Sequence, residues 1–292
     1  MVLSAPGDPR RDLRADCARC IGLCCVASAF AASADFAITK EAGLPCPNLR
    51  RDFGCAIHDR LRQLGFPGCV GYDCFGAGQQ TVQVTFGGRD QWWTPRIAAP
   101  VFAAFAVLRQ LHELLWYLAE ALTLAPARPV HADLRLAFGE IERLTRAGPD
   151  ELARVDPVAV RESANALLLR VSELARAGFH PPGADHRGAD LIGADLRRTD
   201  LAGASLRGAC LVAADLRSAV LTSADFTGAD LRGADLRGTD LAGSIFLTQS
   251  QLEVAKGDRG TRVPASLTRP AHWTGSTPRH RGPRRPAAAR RG

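Results

Sequence analysis

Residues 184–248 are thirteen consecutive five-residue units without a gap. They read ADHRG, ADLIG, ADLRR, TDLAG, ASLRG, ACLVA, ADLRS, AVLTS, ADFTG, ADLRG, ADLRG, TDLAG and SIFLT. A unit this short cannot bury its own apolar side. Its neighbours must stack on it, and a fixed short period is the mark of a solenoid. Position one is small and position three is large and apolar, with Asp usually between them. On an extended backbone this alternation puts positions one and three on one side and position two on the other. Glycine at position five lets the chain turn a corner. A helix does not satisfy the pattern, because leucines five residues apart would step about 140° around the axis and reach every face.

These units resemble the pentapeptide-repeat proteins. The resemblance implies a right-handed quadrilateral β-helix with four pentads per coil. The inward residues would be Ala184, Ala189, Ala194 and their successors, with Leu191, Leu196, Leu201 and the later third positions through Phe246. His186 takes a leucine position, as in a frayed first unit. Thirteen units give just over three coils, about 15 Å of stack at ordinary strand spacing. Residues twenty apart then align, which places Arg197, Arg217 and Arg237 in one ladder beside Asp195, Asp215 and Asp235. These are expected to neutralise each other on the surface, or to form a docking strip for a charged partner. Cys210 holds an Asp position and is expected to be exposed. Some relatives of this fold mimic DNA and bind type II topoisomerases. That role needs a long acidic rod, whereas this repeat holds nine Asp against seven Arg.

Eight of the nine cysteines lie between residues 17 and 74. Cys17, Cys20, Cys24 and Cys25 form a C-x2-C-x3-C-C run, followed by Cys46, Cys55, Cys69 and Cys74. In a reducing compartment such clustering argues for metal more than for disulfides. Eight thiolates could fill two four-coordinate sites, and thiolate suits zinc or an iron–sulfur cluster. Disulfides and reduced core cysteines are the competing readings. His58, three residues after Cys55, could replace a thiolate or be an ordinary surface imidazole. The segment resembles the cysteine-cluster domains with a CxxCxxCC signature that are described as zinc- or iron-chelating. One extra residue between Cys20 and Cys24 departs from that signature, which leaves the ligand pairing open. Some proteins with a related cluster are linked to methyl transfer on lysines, but no glycine-rich cofactor loop supports that here. FGAGQ at 75–79 is too short to indicate phosphate binding.

Between these regions, three helices are expected. Val101, Phe105, Leu108, Leu111, Leu115, Leu118 and Leu122 follow three-and-four spacing, and Pro126 and Pro129 end that helix. The second runs from about His131 to Ala147 on Leu134, Phe138, Ile141 and Leu144. The third has Asp156 as N-cap and Pro157 in its first turn, with Ala164, Leu167, Val171 and Leu174 inward. The Leu stripe of the first helix could alternatively serve a homodimer. The apolar stretch from Ile97 to Ala125 includes Arg109, His112, Glu113 and Glu120, which makes it a poor membrane span.

The expected organisation is multidomain α+β. It comprises a flexible start (1–13), a cysteine-rich metal-binding module (14–95), a helical bundle (96–178), a linker (179–183), the β-helix (184–248), a cap (249–273) in which Leu267 and Trp273 pack, and a disordered basic tail (274–292). The net charge of +7 invites a nucleic-acid partner. Yet the chain holds 35 Arg and only two Lys, and residues 256–292 alone carry +9. Contact with nucleic acid is therefore expected only through that tail, by phosphates and without sequence preference. The start of the chain has no apolar signal-peptide core, and the cytoplasm is the expected compartment. Three functions follow. The first is a non-enzymatic, metal-stabilised scaffold that meets a protein partner through the β-helix face. The second is a zinc or iron–sulfur redox sensor or enzyme. The third is a topoisomerase or nucleic-acid partner.

Overall fold

The computed structural model describes residue 10 and residues 12–88, 95–179 and 184–274. Most of the expected flexible start, most of the linker and nearly all of the basic tail lie outside the described residues.

The three expected helices form. Helix α1 spans Pro95–Ala121, α2 His131–Thr145 and α3 Pro157–Arg176. A 3-10 turn over Ala125–Val130 holds both expected helix-ending prolines. Asp156 caps α3 by accepting from the amides of Val158 and Ala159 at 2.9 and 3.3 Å. The predicted faces are buried at Leu108, Leu111, Leu118, Leu134 and Val171, and Leu168 joins them. Residues Ala98–Ala121 of α1 are long and apolar enough to cross a bilayer by length and composition. In this structure α1 is covered instead by α2, α3 and the helical turn Ala77–Gln80.

From residue 184 onward each pentad gives one bridging residue followed by a two-residue turn. The bridges are parallel and mostly twenty residues apart: Asp190 with Cys210, Cys210 with Asp230, Asp215 with Asp235. A typical rung joins Leu206 N to Asp225 O at 2.9 Å and Asp225 N to Ala204 O at 3.0 Å. The stack therefore repeats every four pentads. Among the described residues, however, no run is long enough to be a strand. The reason is local, since two of every five residues are spent on the corner.

The corner explains the sequence pattern. The position-one amide closes a turn on the preceding position-three carbonyl, as in Ala209 N to Leu206 O at 3.0 Å. From Gly188 to Gly238 the residue at position five has positive φ, which favours Gly, as at Gly208 (φ +63°). Aspartate at position two accepts the amide of position four; Asp200 takes Ala202 N at 3.0 Å and Asp240 takes Ala242 N at 3.0 Å. The recurrent Asp thus caps the backbone corner before it serves any other purpose.

Positions one and three are buried from Leu201 onward, with Leu206, Leu211, Leu216, Phe226 and Leu236 fully inside. Ala189, Leu191, Ala194 and Leu196, in the first coil, are only half-buried. At the other end helix α4, Gln249–Val254, opens with a capping box between Thr248 and Gln251. The ladder then resumes through Asp235 with Lys256 and Asp240 with Arg262. Leu252, Leu267 and Trp273 are buried there. The Trp273 indole donates to Ala255 O at 3.1 Å, and its ring packs on Gly257 so closely that a Cβ would lie 2.2 Å from it.

One apolar core runs from Leu13 through α1 and the coils to Trp273. Tyr117 meets Phe246 edge-on at 5.9 Å. One turn further along α1, Glu120 accepts the Phe246 amide at 2.7 Å. Arg176 of α3 donates to Gly203 O at 3.1 Å. Burial pushes the Glu120 carboxyl up from its ordinary 4.5 to about 7, with Asp225 adding to the effect and Arg10 opposing it.

Two outcomes are expected. Ala213 holds a corner at φ +56°, where a left-handed non-glycine residue costs roughly 1–2 kcal/mol and glycine's extra chain entropy returns part of that. Ala213→Gly should therefore raise urea-unfolding stability by about 1 kcal/mol, and a loss would contradict the corner assignment. For Glu120 the folded pKa lies above the unfolded one, so the stabilisation is present below pH 4.5 and is lost as pH rises through about 7. Across that window the wild type should lose about 3 kcal/mol relative to Glu120→Gln, and parallel stability curves would refute it.

Candidate functional site

The cysteine-rich segment is held by short local pairings. Phe30 bridges Lys40 and Leu49 bridges Cys55, both antiparallel. Cys17 lies in a 3-10 turn capped by Asp16, which accepts from Ala18 N at 3.1 Å. Cys24 and Cys25 lie on the helical turn Leu23–Ala27, entered through Gly22 in the left-handed conformation. Cys46 N donates to Cys25 O at 2.9 Å, bringing the third loop to the second. Cys69 lies on the turn Pro67–Val70, and Cys74 O accepts from Ala77 N at 2.9 Å.

All nine cysteines are free thiols. The Sγ atoms of Cys24 and Cys25 are 4.0 Å apart. Two thiolates on one tetrahedral zinc would stand about 3.8 Å apart, from bonds of about 2.3 Å, so this pair is already at the required spacing. Cys20 and Cys74 both border Gly78: a Cβ placed there would lie 2.8 Å from Cys20 Sγ and 3.8 Å from Cys74 Sγ. Gly78, the second glycine of the FGAGQ stretch, thus makes room for two sulfurs, a role its sequence context did not reveal. Among the described residues no three of His, Cys, Asp or Glu are close enough together to hold a metal ion. Among the described residues the expected eight-thiol centre is therefore not gathered as a ligand set, and Cys24–Cys25 is its one close pair. His58 is exposed, and only its amide contacts Cys55, N to O at 3.5 Å.

Electrostatics sort the thiols further. Burial raises Cys17 and Cys20, with like charge from Cys20 and Cys25 acting on the first and from Cys25 on the second. Cys24 is raised by its hydrogen bond to Cys25, then by burial and by Cys25, Cys20 and Cys17. Burial pushes Cys74 up to about 11, and Cys20 is the one thiol that acts on it. Burial likewise pushes Cys69 to about 11, where Cys25, Cys46 and Cys55 contribute. Cys25 is the exception. The Cys24 hydrogen bond and then the Lys40 charge bring it down to about 7 against the opposing effect of burial.

Lys40 was not picked out by sequence pattern. It is buried, and its Nζ donates to the carbonyls of Val26, Glu41 and Leu44 at 2.9, 2.9 and 2.7 Å. It lies 5.7 Å from the Phe30 ring centre. Burial lowers its pKa, while Cys46, Cys25 and Cys24 oppose that shift. One ammonium therefore ties the loops that carry Cys24, Cys25 and Cys46. The only sequence signal was its rarity, as one of two lysines.

On the solenoid, the aligned Arg and Asp residues pair mainly within a pentad. Arg197, Arg217 and Arg237 meet Asp195, Asp215 and Asp235 at 2.6, 2.5 and 2.5 Å. Contacts to the next coil are longer, 3.6 Å for Arg197 with Asp215 and 3.7 Å for Arg217 with Asp235. Not every Asp is outward. Asp225 is fully buried and pairs with Arg207 at 3.3 Å. Cys210 is half-buried in the bridge column and stands apart from the other thiols.

The repeat places this chain in a known class. The family model for Pentapeptide repeats matches residues 183–211 and 209–246, and the chain belongs to the pentapeptide-repeat proteins. It is similar over nearly its whole length to the uncharacterized protein YybG of Bacillus subtilis (strain 168), with 56% identity over 265 residues, 90% of this chain and 95% of that one. Among solved structures it is similar to a pentapeptide repeat protein of the Arabidopsis thaliana thylakoid lumen, at 31% identity and TM-score 0.22, over 32% of this chain and 57% of that one. It is also similar to one from Nostoc Pcc 7120, at 35% identity and TM-score 0.23, over 33% of this chain and 84% of that one.

Replacing Lys40 by Met would leave three carbonyls without their donor inside the loop. The expected cost is roughly 3 kcal/mol in urea unfolding, together with faster labelling of Cys24 and Cys25 by a thiol reagent. Unchanged stability and labelling would remove Lys40 from this role.

Proposed function

We propose that this chain is a non-enzymatic scaffold, stabilised by metal and working in the cytoplasm, that presents the solenoid to a protein partner. The observation that carries this reading is the single core, which runs through cysteine segment, helices and coils. A surface used for recognition has to be held in one geometry, and a shared core does that. The presented face would be the column of Asp–Arg rungs that lie side by side on successive coils, exposed at Arg197 and half-buried at Arg217 and Arg237. We read the stack as the right-handed quadrilateral β-helix of the family, which fits its twenty-residue bridge spacing. A second copy of the chain would be a partner on the same terms.

The metal would be zinc or iron. Cys24 and Cys25, 4.0 Å apart, would supply two ligands of one ion, and Cys17, Cys20, Cys46, Cys55, Cys69 and Cys74 would complete that site and a second one. When bound, zinc would supply folding free energy and no redox chemistry. The residues themselves bring soft donors on loops already tied by Lys40. A redox reading with an iron–sulfur cluster is favoured by one feature, the adjacent Cys24 and Cys25 with Cys25 acid-shifted to about 7.

Metal analysis and an optical spectrum on full chain purified without oxygen test the proposal. Colourless protein with about two zinc ions per chain, as two four-thiolate sites require, is the expected result. A brown chromophore that bleaches on reduction would favour the redox reading, and metal-free protein of unchanged stability would overturn both.

A further inference from the structure

A cleft of about 550 Å³ opens where the cysteine-rich segment, the solenoid and the cap meet. Pro67, Ala229, Leu231, Val254 and Ala255 give it apolar walls. Two of its walls touch closely, since a Cβ on Gly71 would lie 2.6 Å from Val254. The volume falls in the range typical of small-molecule sites, about 300–1,000 Å³.

Its charged groups are unequally satisfied. Arg232 is saturated, with Asp35 at 2.8 Å and Asp230 at 2.7 Å. Arg62 is not: its Nη2 is buried and has no hydrogen-bond partner. The acid whose charge reaches Arg62 is Glu253, which is itself engaged by Gln249 at 3.0 Å and His272 at 3.7 Å. Burial lowers the Arg62 pKa, and the Glu253 charge opposes that shift. Lys256 also lines the cleft, exposed, and none of the ion pairs among the described residues involves it. With Glu253 counted, three cations (Arg62, Arg232 and Lys256) face three acids (Asp35, Asp230 and Glu253), so the cleft is about neutral overall and its unmet hydrogen-bonding demand lies at Arg62 Nη2. Guanidinium is well suited to carboxylate, and an unpaired buried donor gains most from an ionised acceptor.

We propose that this cleft binds a small organic monocarboxylate, with Arg62 and Lys256 on the carboxylate and the Pro67, Leu231 and Val254 surface against its apolar body. The site goes beyond the scaffold reading and does not depend on the metal.

Isothermal titration of the full chain with benzoate, benzamide and inorganic phosphate tests it. Benzoate should bind at one per chain, and its neutral counterpart benzamide at least tenfold more weakly. Arg62→Gln should weaken benzoate at least tenfold, with partial rescue by Arg62→Lys. Lys256→Gln, at an exposed position, should weaken it severalfold and carries the test if the Arg62 variants do not fold. Amide shifts should centre on Gly228–Gly233. The proposal is overturned if benzoate does not bind or benzamide binds equally well. Phosphate binding without benzoate would refute the apolar body, and unchanged affinity in Arg62→Gln and Lys256→Gln would refute the assigned cations.

Discussion

The covering of helix α1 is the constraint on which the rest of the structure depends. Along one side or another this helix buries Val101, Phe105, Leu108, Leu111, Leu114, Trp116 and Leu118. A helix apolar on so much of its surface needs neighbours all around it. Helices α2 and α3 supply part of the cover. Phe246 at the end of the coils supplies another part, against Tyr117. The cysteine-rich segment supplies a third through Leu23, Phe75 and Ala77. The solenoid is consequently more than an appendage. Its last coil both receives the helix and hands it a backbone amide through Glu120.

The parts of the fold that depend on period were legible in the sequence. The five-residue repeat gave the stack and its inward residues from Leu201 onward, while Ala184 is exposed and the first coil only half-buried, and the three-and-four spacing gave the helices. The Asp156 cap and its following proline behaved as their local chemistry requires. Strand formation did not follow the same rule, because the corner takes two residues from each pentad and leaves one to bridge. The Asp–Arg alignment was correct, yet most of the pairing is internal to a pentad. An arginine two residues after its aspartate reaches it more easily than one in the next coil.

The candidate sites were less legible, for a physical reason. Lys40 and Asp225 are polar residues whose burial depends on segments far away in sequence, and no local pattern encodes that. Gly78 matters for the two sulfurs beside it, which come from Cys20 and Cys74. The Arg62 cleft needs three segments to exist at all. The eight thiols were visible at once, but spacing along the chain did not divide them. Their mutual electrostatic influence does not divide them either, since Cys25 acts on Cys17, Cys20, Cys24, Cys55 and Cys69 alike, and the close Cys24–Cys25 pair is the nearest approach to a ligand geometry.

The central claim is that coils, helices and cysteine segment are one cooperative body. Native-state amide hydrogen exchange on the full chain tests it most directly. The amides of Leu206, Leu216 and Asp225 in the coils should open with the same free energy as those of Leu111 and Leu118 in α1. Helix amides that exchange through a much cheaper opening, while the coil amides stay protected, would show separate units and contradict the account.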